Sequence, residues 1–410
     1  MVWSSCVMNR IIIVGAGQAG GQVAASLRQQ KYNGEIIVFG DEPHPPYQRP
    51  LLSKQYLSSD DAEDRVFLRA DKFYKDHNIN LRVSEKISEI NPKSKTVTTD
   101  KGEAVEYQDL ILATGSRPRK LKITGSDLQG IHYLRTLDDV NSIKAEMQTG
   151  EKLVIVGGGY IGLEVASVAV TAGMDVAVIE TEDRILKRVT TPEMSEFYHQ
   201  LHTDRGVTIH LQTSVSGFEG EGRVNSVLCG DDKIEADVVI VGIGVIPNIE
   251  LAEAAGIECN NGIVTNDRCE TELDHIYAAG DCSNHPNPIL GRRLRLESVP
   301  NAMEQAKVVA ANIMEKDKSY SAVPWFWSDQ YEHKLQMVGF SSDGEKQVLR
   351  GDKGKKQFAI FYLRDDRLVA VDAVNSARDF MAGRQLYGRE FDTVKLQDTA
   401  AEVKDCLIRN

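Results

Sequence analysis

The chain has 410 residues, of which 41% are hydrophobic, and a formal net charge of −12 at pH 7. This length predicts two or three domains with separate cores. The negative charge argues against general nucleic-acid binding and against anionic membranes, and no apolar run approaches the roughly 18 residues that a membrane span requires.

The six cysteines are scattered and include no Cys-x-x-Cys pair, which argues against a zinc site or a redox dithiol. The first ten residues contain no basic region followed by an apolar stretch, so they predict no secretory signal. Met8 is an alternative natural start, with the residues before it an extension. These features favour a reducing cytoplasm.

A β-branched run at residues 11–14 leads directly into Gly15-x-Gly17-x-x-Gly20 and then into a helical pattern that extends to about residue 30. Strand, glycine turn and helix follow in the order of a dinucleotide-binding βαβ unit. Gly15 permits a sharp turn, Gly17 lets a pyrophosphate approach the helix N-terminus, and Gly20 permits close packing of helix and strand.

The second strand of this unit is predicted at residues 35–42. Asp41 lies 21 residues after Gly20, near the position of the carboxylate that accepts ribose hydroxyls. Glu42 is the alternative, and an exposed acidic turn without a ligand is the simpler interpretation. A stiff segment with four prolines then positions Arg49 and Lys54. From composition alone, these are two solvated cations in a loop.

Short β-patterned runs fill residues 79–115 and end on Ala113-Thr114-Gly115, a turn of small residues that a ligand can approach closely. A helix start is predicted at Thr136. The second copy of the fingerprint then follows as Gly157-x-Gly159-x-x-Gly162.

Glu180, 23 residues after Gly157, occupies the ribose position of the second fingerprint. An acidic side chain there receives the 2′-hydroxyl of NADH and repels the 2′-phosphate of NADPH. Two fingerprints with suitably spaced acids predict a protein that binds two dinucleotides.

Later segments supply further strand ends and a C-terminal β-rich region. A strand at residues 275–279 ends on Gly280-Asp281, where the carboxylate is placed to hold a hydroxyl of a ribityl chain. Residues 298–315 have helical spacing. From Trp325 onward the pattern is β-like, and it finishes in an amphipathic helix.

Together these motifs resemble the two-dinucleotide flavoproteins, and especially their oxygenase-coupled ferredoxin reductases of the putidaredoxin reductase type. The resemblance covers nearly the whole chain. Its narrowest motifs are Glu-Ser-Val-Pro-Asn-Ala at residues 297–302 and Pro-Trp-Phe-Trp-Ser-Asp-Gln at residues 324–330.

The resemblance implies an α/β fold with two Rossmann-like dinucleotide-binding domains, for FAD and NADH, and a C-terminal α/β interface domain. It implies a discontinuous FAD-binding domain at residues 1–115 and 247–322, an NADH-binding domain at 116–246, and the interface domain at 323–410.

Carried over by motif, the resemblance also implies the residues of the site. The implied FAD contacts are Gly15, Gly17, Ala19, Gly20, Asp41, Arg49, Lys54, Ile87, Ala113, Arg135, Asp281 and Val299, and the implied NADH contacts are Gly157, Gly159, Gly162 and Glu180. Lys54 and Glu164 are expected to form an ion pair near the reactive edge of the flavin. Trp327 is expected beside the flavin, close to the route to the acceptor, and no metal site is expected.

The implied activity is hydride transfer from NADH to FAD, followed by single-electron transfer to a two-iron two-sulfur ferredoxin that supplies a cytochrome-type monooxygenase. Alternative acceptors are rubredoxin or a dioxygenase ferredoxin. A different class of function is an NADH-sensing flavoprotein that resembles apoptosis-inducing factor.

The partner ferredoxin is expected to be acidic and to bind transiently to a monomer. Because the whole chain is acidic, such a partner requires a local basic patch. The sequence offers Arg292, Arg293, Arg295, Lys307 and Lys334 for it.

Overall fold

A computed structural model describes residues 9–408. The alternative start at Met8 lies outside the described residues, as does most of the segment for which no secretory signal is expected. The fold divides into two compact units. The first contains residues 9–48, 62–117 and 245–322, and the second contains residues 49–61, 118–244 and 323–408.

Up to the second glycine turn, the elements in chain order are β1 (Arg10–Val14), α1 (Gln18–Gln29), β2 (Glu35–Phe39), α2 (Gln55–Ser58), α3 (Asp71–Asp76), β3 (Ile79–Arg82), β4 (Ile87–Asn91), β5 (Thr96–Thr99), β6 (Ala104–Glu106), β7 (Asp109–Leu112), β8 (Ser116–Pro118), β9 (Ile131–His132), α4 (Leu137–Met147) and β10 (Lys152–Val156). Short 3₁₀ turns occur at Arg49–Ser53 and Glu63–Val66.

The elements that follow are α5 (Tyr160–Thr171), β11 (Asp175–Ile179), α6 (Pro192–Thr203), β12 (Thr208–His210), β13 (Gly217–Glu219), β14 (Ser226–Cys229), β15 (Asp232–Glu235), β16 (Val238–Val241), β17 (Val245–Pro247), α7 (Glu250–Ala254), β18 (Ile263–Val264), β19 (Ile276–Ala278), β20 (Ser283–Asn287), β21 (Arg292–Leu294) and α8 (Val299–Ile313). The C-terminal elements are β22 (Trp325–Gln330), β23 (His333–Gly339), β24 (Lys346–Asp352), β25 (Gln357–Arg364), β26 (Arg367–Val374), α9 (Ala377–Leu386) and α10 (Thr393–Gln397), with 3₁₀ turns at Ser341–Asp343 and Val403–Cys406.

The first unit is built on a parallel five-stranded sheet in the order β19-β7-β1-β2-β3. Successive residues of β1 point to opposite faces. Ile11 and Ile13 belong to the core beneath α1 and α8, while Ile12 and Val14 pack with residues of the β4-β5-β6 sheet. Both faces of β1 are therefore buried, which explains its continuous run of β-branched residues.

The second unit repeats this sheet as β12-β11-β10-β16-β9, again with parallel pairs. The pairing is equivalent at the turn, because Val14 lies opposite Phe39 in the first unit and Val156 lies opposite Ile179 in the second. The second unit also carries an antiparallel sheet in the order β22-β23-β26-β25-β24.

Several local predictions are confirmed. Thr136 caps α4 in a reciprocal capping box with Asp139, and Ser298 caps α8 by accepting from the N–H of Asn301. The single amphipathic helix expected at the C-terminus is wrong. The segment is divided into α9, α10 and a 3₁₀ turn, because Gly388 adopts φ +78° after α9 and Asp392 caps a new short helix.

The α/β class with two dinucleotide-type sheets and a further C-terminal α/β portion is confirmed. The three-domain division of the sequence stays a prediction. Among residues 9–408, no helix is both long and apolar enough to cross a membrane.

Candidate active site

The turn after β1 requires glycine at two positions. Gly15 has φ +115°, and a Cβ there would lie 2.1 Å from the carbonyl oxygen of Ala113. A Cβ on Gly20 would lie 1.9 Å from the carbonyl oxygen of Gly15. These contacts hold β1, β7 and α1 closer together than any other residue type permits.

Gly17 differs from both, because a Cβ there would meet nothing within 4 Å. Gly17 is also the N-cap of α1, its cap makes no side-chain hydrogen bond, and the first turn contains no acidic residue. The N–H groups of this helix N-terminus therefore face open space in a positive dipole field, which suits a phosphate group. The arrangement fits the pyrophosphate of a dinucleotide.

The second glycine turn reproduces this geometry. A Cβ on Gly157 would lie 2.5 Å from the carbonyl oxygen of Gly242, and one on Gly162 would lie 2.3 Å from that of Gly157. Gly159, the N-cap of α5, has open space around the position of a Cβ. The second unit thus carries an independent phosphate-binding turn.

The acidic residues after β2 and β11 are not in equivalent positions. Glu180 follows the last residue of β11 directly, and its carboxylate accepts the N–H groups of Gly158 at 2.8 Å and Glu182 at 3.0 Å. In the first unit this position is Gly40, whose Cβ would meet that of Ala16 at 2.6 Å. Asp41 therefore lies one residue further along and is exposed.

The alternative ribose residue, Glu42, accepts a hydrogen bond from the hydroxyl of Tyr47 at 2.5 Å. Ile87, at the start of β4, is 3% exposed and packs in the apolar core of the first unit. A ligand contact at Ile87 would therefore come from its main chain.

The end of β19 and the start of α8 form a polar group in the first unit. Asp281 accepts from the hydroxyl of Ser116 at 3.0 Å, and the N–H of Gly280 donates to Gln305 Oε1 at 2.8 Å. Asn301 Oδ1 and Gln305 Nε2 are buried without a hydrogen-bond partner among the described residues. Unsatisfied buried groups are costly, so this region fits a site that a polar ligand completes.

The predicted ion pair between Lys54 and Glu164 is present in the second unit. Lys54 Nζ lies 2.7 Å from Glu164 Oε2, and Glu164 is 2% exposed. The carboxylate also accepts from the hydroxyls of Ser53 at 2.5 Å and Ser328 at 2.6 Å. Glu164 lies in α5, which begins at the second glycine turn. One helix therefore carries both the glycine turn and the acidic member of the ion pair.

Burial raises the pKa of the Glu164 carboxyl, whereas the Lys54 ammonium and the two serine hydroxyls oppose that rise. Three donors converge on this carboxylate, and such charge-assisted hydrogen bonds favour its ionised form. Neither serine was predicted from the sequence. Ser328 belongs to the motif at residues 324–330. Its place on the buried face of β22 is the feature that indicates a role for this serine in the site.

Two predicted FAD-contacting arginines meet in the second unit, since Arg49 Nη1 donates to the carbonyl oxygen of Arg135 at 2.7 Å. Trp327 is half-buried in β22, with its ring centroid 5.7 Å from that of Trp325. The described residues include no group of three His, Cys, Asp or Glu side chains suited to a metal ion.

The expected basic patch stays a prediction, and two of its arginines make contacts within the first unit. Arg293 Nη1 donates to the carbonyl oxygens of Thr265 and Asn284, and Arg295 lies 2.6 Å from Glu297. Glu297 therefore offsets the charge of Arg295, whereas Arg293 is exposed and keeps its charge, because carbonyl oxygens are neutral.

Lys307, a further candidate for the basic patch, lies away from the first glycine turn, and its part in docking stays a prediction. Gly280 approaches Ala19 and Ala302 near the N-terminal ends of α1 and α8, so these two ends lie together. Lys307 instead lines a pocket of about 540 Å³ with Gln29 and Gln30 at the C-terminal end of α1, roughly 18 Å from the glycine turn for a helix of this length.

Comparisons with known proteins agree with this geometry. Residues 9–306 match the family described as pyridine nucleotide-disulphide oxidoreductase, and residues 325–407 match the reductase C-terminal family. The solved structure of the covalent putidaredoxin reductase–putidaredoxin complex aligns with a TM-score of 0.94 and 40% identity, covering 97% of each chain.

Curated relatives extend over almost the whole chain. Rhodocoxin reductase of Rhodococcus erythropolis is 41% identical over 404 residues, covering 98% of this chain and 95% of that protein. Putidaredoxin reductase of Pseudomonas putida is 42% identical over 385 residues, covering 92% and 91%. A rubredoxin-NAD(+) reductase of Pseudomonas putida is 39% identical over 367 residues, covering 89% and 95%.

These matches confirm the resemblance to the putidaredoxin reductase-like flavoproteins, and with it the expectation of an oxidoreductase. The chain therefore belongs to the pyridine nucleotide-disulphide oxidoreductase family, as a relative of its ferredoxin reductases.

Proposed function

We propose that this protein is an FAD-dependent NADH:ferredoxin oxidoreductase. The observation that carries the proposal is the pair of glycine turns, each of which opens onto space at a helix N-terminus. One dinucleotide for each turn accounts for both. Membership of the family then supports the assignment of the two dinucleotides as FAD, which accepts electrons, and NADH, which donates them.

The residues proposed to hold FAD are Gly15, Gly17, Ala19, Gly20, Asp41, Arg49, Lys54, Ile87, Ala113, Arg135, Asp281 and Val299. Gly157, Gly159, Gly162 and Glu180 would hold NADH. Bound FAD would supply the chemistry, which is acceptance of a hydride and release of electrons one at a time.

The protein's own part in the reaction is positioning and charge. Lys54 would place a cation where negative charge develops on reduction, and Glu164 would keep that cation in one orientation. Trp327, in the half-buried aromatic group of β22, would lie on the side from which the acceptor approaches. All three roles are proposals.

The acceptor that we propose is an acidic two-iron two-sulfur ferredoxin, bound transiently by a monomer in the cytoplasm, that feeds a cytochrome-type monooxygenase. The named relatives support this class of acceptor, since two of them are reductases for putidaredoxin and rhodocoxin. The rubredoxin-NAD(+) reductase relative favours rubredoxin as a second candidate. A dioxygenase ferredoxin is a third acceptor of the same chemistry.

The test is a reconstitution. Purified protein is expected to contain one non-covalent FAD per chain and to reduce cytochrome c with NADH rapidly only when a two-iron ferredoxin is added. Faster turnover with rubredoxin would favour the second candidate. Slow NADH oxidation with every acceptor would favour an NADH sensor that resembles apoptosis-inducing factor.

A further inference from the structure

The buried face of β22 carries a line of polar side chains that the proposed chemistry does not use. Ser328 and Gln330 are two residues apart, so they project from the same face, and both are 0% exposed. Opposite them, His202 occupies the last turn of α6 and is also 0% exposed.

These side chains form one continuous series of hydrogen bonds, which we call the Glu164–Tyr331 network. It connects Ser328 Oγ to Glu164 Oε1 at 2.6 Å and Gln330 Nε2 to Ser328 Oγ at 3.2 Å. It continues from Gln330 Oε1 to His202 Nε2 at 2.8 Å and from His202 Nδ1 to the hydroxyl of Tyr331 at 2.9 Å.

The carboxylate end determines the direction of every bond in this network. Ionised Glu164 only accepts, so Ser328 gives it its single proton and must itself accept from the amide group of Gln330. The Gln330 carbonyl oxygen then faces His202, which must carry its proton on Nε2. The unprotonated Nδ1 of His202 accepts from the hydroxyl of Tyr331.

Every donor therefore points toward Glu164. Aligned hydrogen bonds polarise one another in a low-dielectric interior, so the network stabilises negative charge at its end. An amide in the series does not pass protons readily, so the network orients and polarises groups rather than conducting protons.

The surroundings keep His202 neutral. Burial lowers the pKa of His202 to about 4, the hydrogen bond to Gln330 opposes that shift, and the charges of Arg205 and His199 act in the direction of burial. The guanidinium of Arg205 lies 4.1 Å from the ring centroid of Tyr331 and is paired with Glu332, so this outer end is partly neutralised. Glu164 itself is faced by Lys54 and, at longer range, by the rings of Tyr160 and Tyr198.

We propose that His202 is a positioning residue for the Lys54–Glu164 pair, which acts through Gln330 and Ser328 to keep Glu164 ionised and Lys54 in place. The role in turnover depends on the proposed function, because the pair matters only if Lys54 assists reduction of the flavin. The state of His202 does not depend on it.

The first measurement is a pH titration of ¹⁵N-labelled histidine by NMR in the purified protein, without NADH or ferredoxin. The chain has nine histidines, and the signal absent from the His202→Gln variant assigns residue 202. We expect a neutral ring protonated on Nε2 at pH 7. A proton on Nδ1, or a charged ring at pH 7, overturns the proposal whatever the enzyme's activity.

The second measurement is the pH profile of flavin reduction by NADH, followed by stopped flow with no ferredoxin present. Gln330→Met should move the acid limb of this profile upward by less than the roughly one pH unit that a direct hydrogen bond to a charged group is worth, because Gln330 acts on the carboxylate only through Ser328. His202→Leu, which acts one bond further away, should move it by about half as much. His202→Gln retains a donor toward Gln330 and should restore the wild-type profile.

Ser167→Ala is the matched control, because this buried hydroxyl donates to the main-chain oxygen of Glu164 at 2.7 Å and not to its carboxylate. It should leave the acid limb unchanged. An unshifted acid limb in both Gln330→Met and His202→Leu overturns the proposal. If NADH fails to reduce the wild-type flavin, the proposed function fails and the role of His202 in turnover fails with it, and the NMR result still decides the protonation state of His202.

Discussion

The carboxylate of Glu180 is held by two main-chain N–H groups at the end of β11, so its negative charge has a defined place beside the second glycine turn. A 2′-phosphate near that charge would cost about 1–4 kcal/mol. The wild-type protein should therefore prefer NADH to NADPH by about tenfold or more in kcat/KM, and Glu180→Ala should narrow that ratio.

Glu182→Ala is the control for this change, because Glu182 lies on the same loop but pairs with Lys187 at 2.9 Å. It should leave the ratio of the two kcat/KM values unaltered. Equal kcat/KM for NADH and NADPH in the wild type would remove Glu180 from its assigned role.

The ion pair between Lys54 and Glu164 predicts that the two side chains act together in flavin reduction. Removing either partner leaves the other charge uncompensated in a buried site, so Lys54→Met and Glu164→Gln should each slow flavin reduction. The double variant should slow flavin reduction much less than the two single effects added together, with a coupling energy of about 1–3 kcal/mol.

Stopped-flow measurement of flavin reduction in the four proteins of this double-mutant cycle tests the coupling. The exposed ion pair between Lys152 and Glu235 serves as the comparison, since neutralising it should not alter the rate. Strictly additive effects at positions 54 and 164 would mean that the two side chains act independently.

Among the structural elements, the first glycine turn contains one glycine that folding requires and another that FAD binding is expected to require. Gly15→Ala places a Cβ 2.1 Å from a main-chain oxygen at a positive φ, so the variant should lose several kcal/mol of stability or fail to fold. Gly17→Ala meets open space, so its midpoint of thermal unfolding as apoprotein should stay within a few degrees of wild type while its FAD content falls.

Thermal unfolding of the apoproteins, read beside the ratio of flavin to protein absorbance, distinguishes the two effects. Full FAD binding by Gly17→Ala would show that the pyrophosphate does not occupy this turn.

A buried carboxyl ties β26 to the segment before α6. Asp372 accepts from the hydroxyls of Thr190 at 2.7 Å and Tyr362 at 2.9 Å, and burial raises its pKa to about 6 from a usual value near 3.8. The unfolded chain loses this proton near pH 4, whereas the folded protein keeps it until about pH 6. Stability is therefore lost as the pH rises through this window.

The penalty above pH 6 is about 2–3 kcal/mol. Asp372→Asn keeps an acceptor oxygen without the charge, so it should raise the denaturation midpoint at pH 8 and have little effect at pH 4. A variant that is less stable than wild type at pH 8 would mean that the two hydroxyls need the ionised group.

At the scale of the whole molecule, a net charge of −12 repels an acidic partner unless positive side chains lie where it docks. Lys334 is such a side chain, since it is exposed and pairs across the strands with Asp329, on the same face of β22 as Trp327. Lys334→Glu should slow ferredoxin-dependent cytochrome c reduction several-fold at low salt and abolish the fall of the rate with added salt.

Lys307→Glu is the matched charge reversal, placed near the middle of α8 and already opposite Glu304. It should leave both the rate and its salt dependence as in the wild type. The reverse pattern, in which position 307 matters and position 334 does not, would move the docking face to the pocket at the C-terminal end of α1.

The whole molecule also shows which features a sequence can predict. The places of Gly15, Gly157 and Glu180 at the two glycine turns were predictable, because each follows from spacing within one βαβ unit. The partners of Glu164 were less accessible, since Ser53 and Ser328 lie 111 and 164 residues away along the chain. Lys307 lies eight residues into α8, about 12 Å from the start of that helix, so nearness in sequence to a binding motif does not place a side chain beside it.

The hydrogen bond from the N–H of Gly158 to Glu180 has a consequence for how cofactor preference can change. Removing the carboxylate frees the N–H of Gly158 in the turn just before α5, close to a helix N-terminus that favours an anion. One substitution thus deletes a repulsive charge and creates a donor for a 2′-phosphate at the same place. If Glu180 has its proposed role, a change at this one position is expected to act on cofactor preference in both ways.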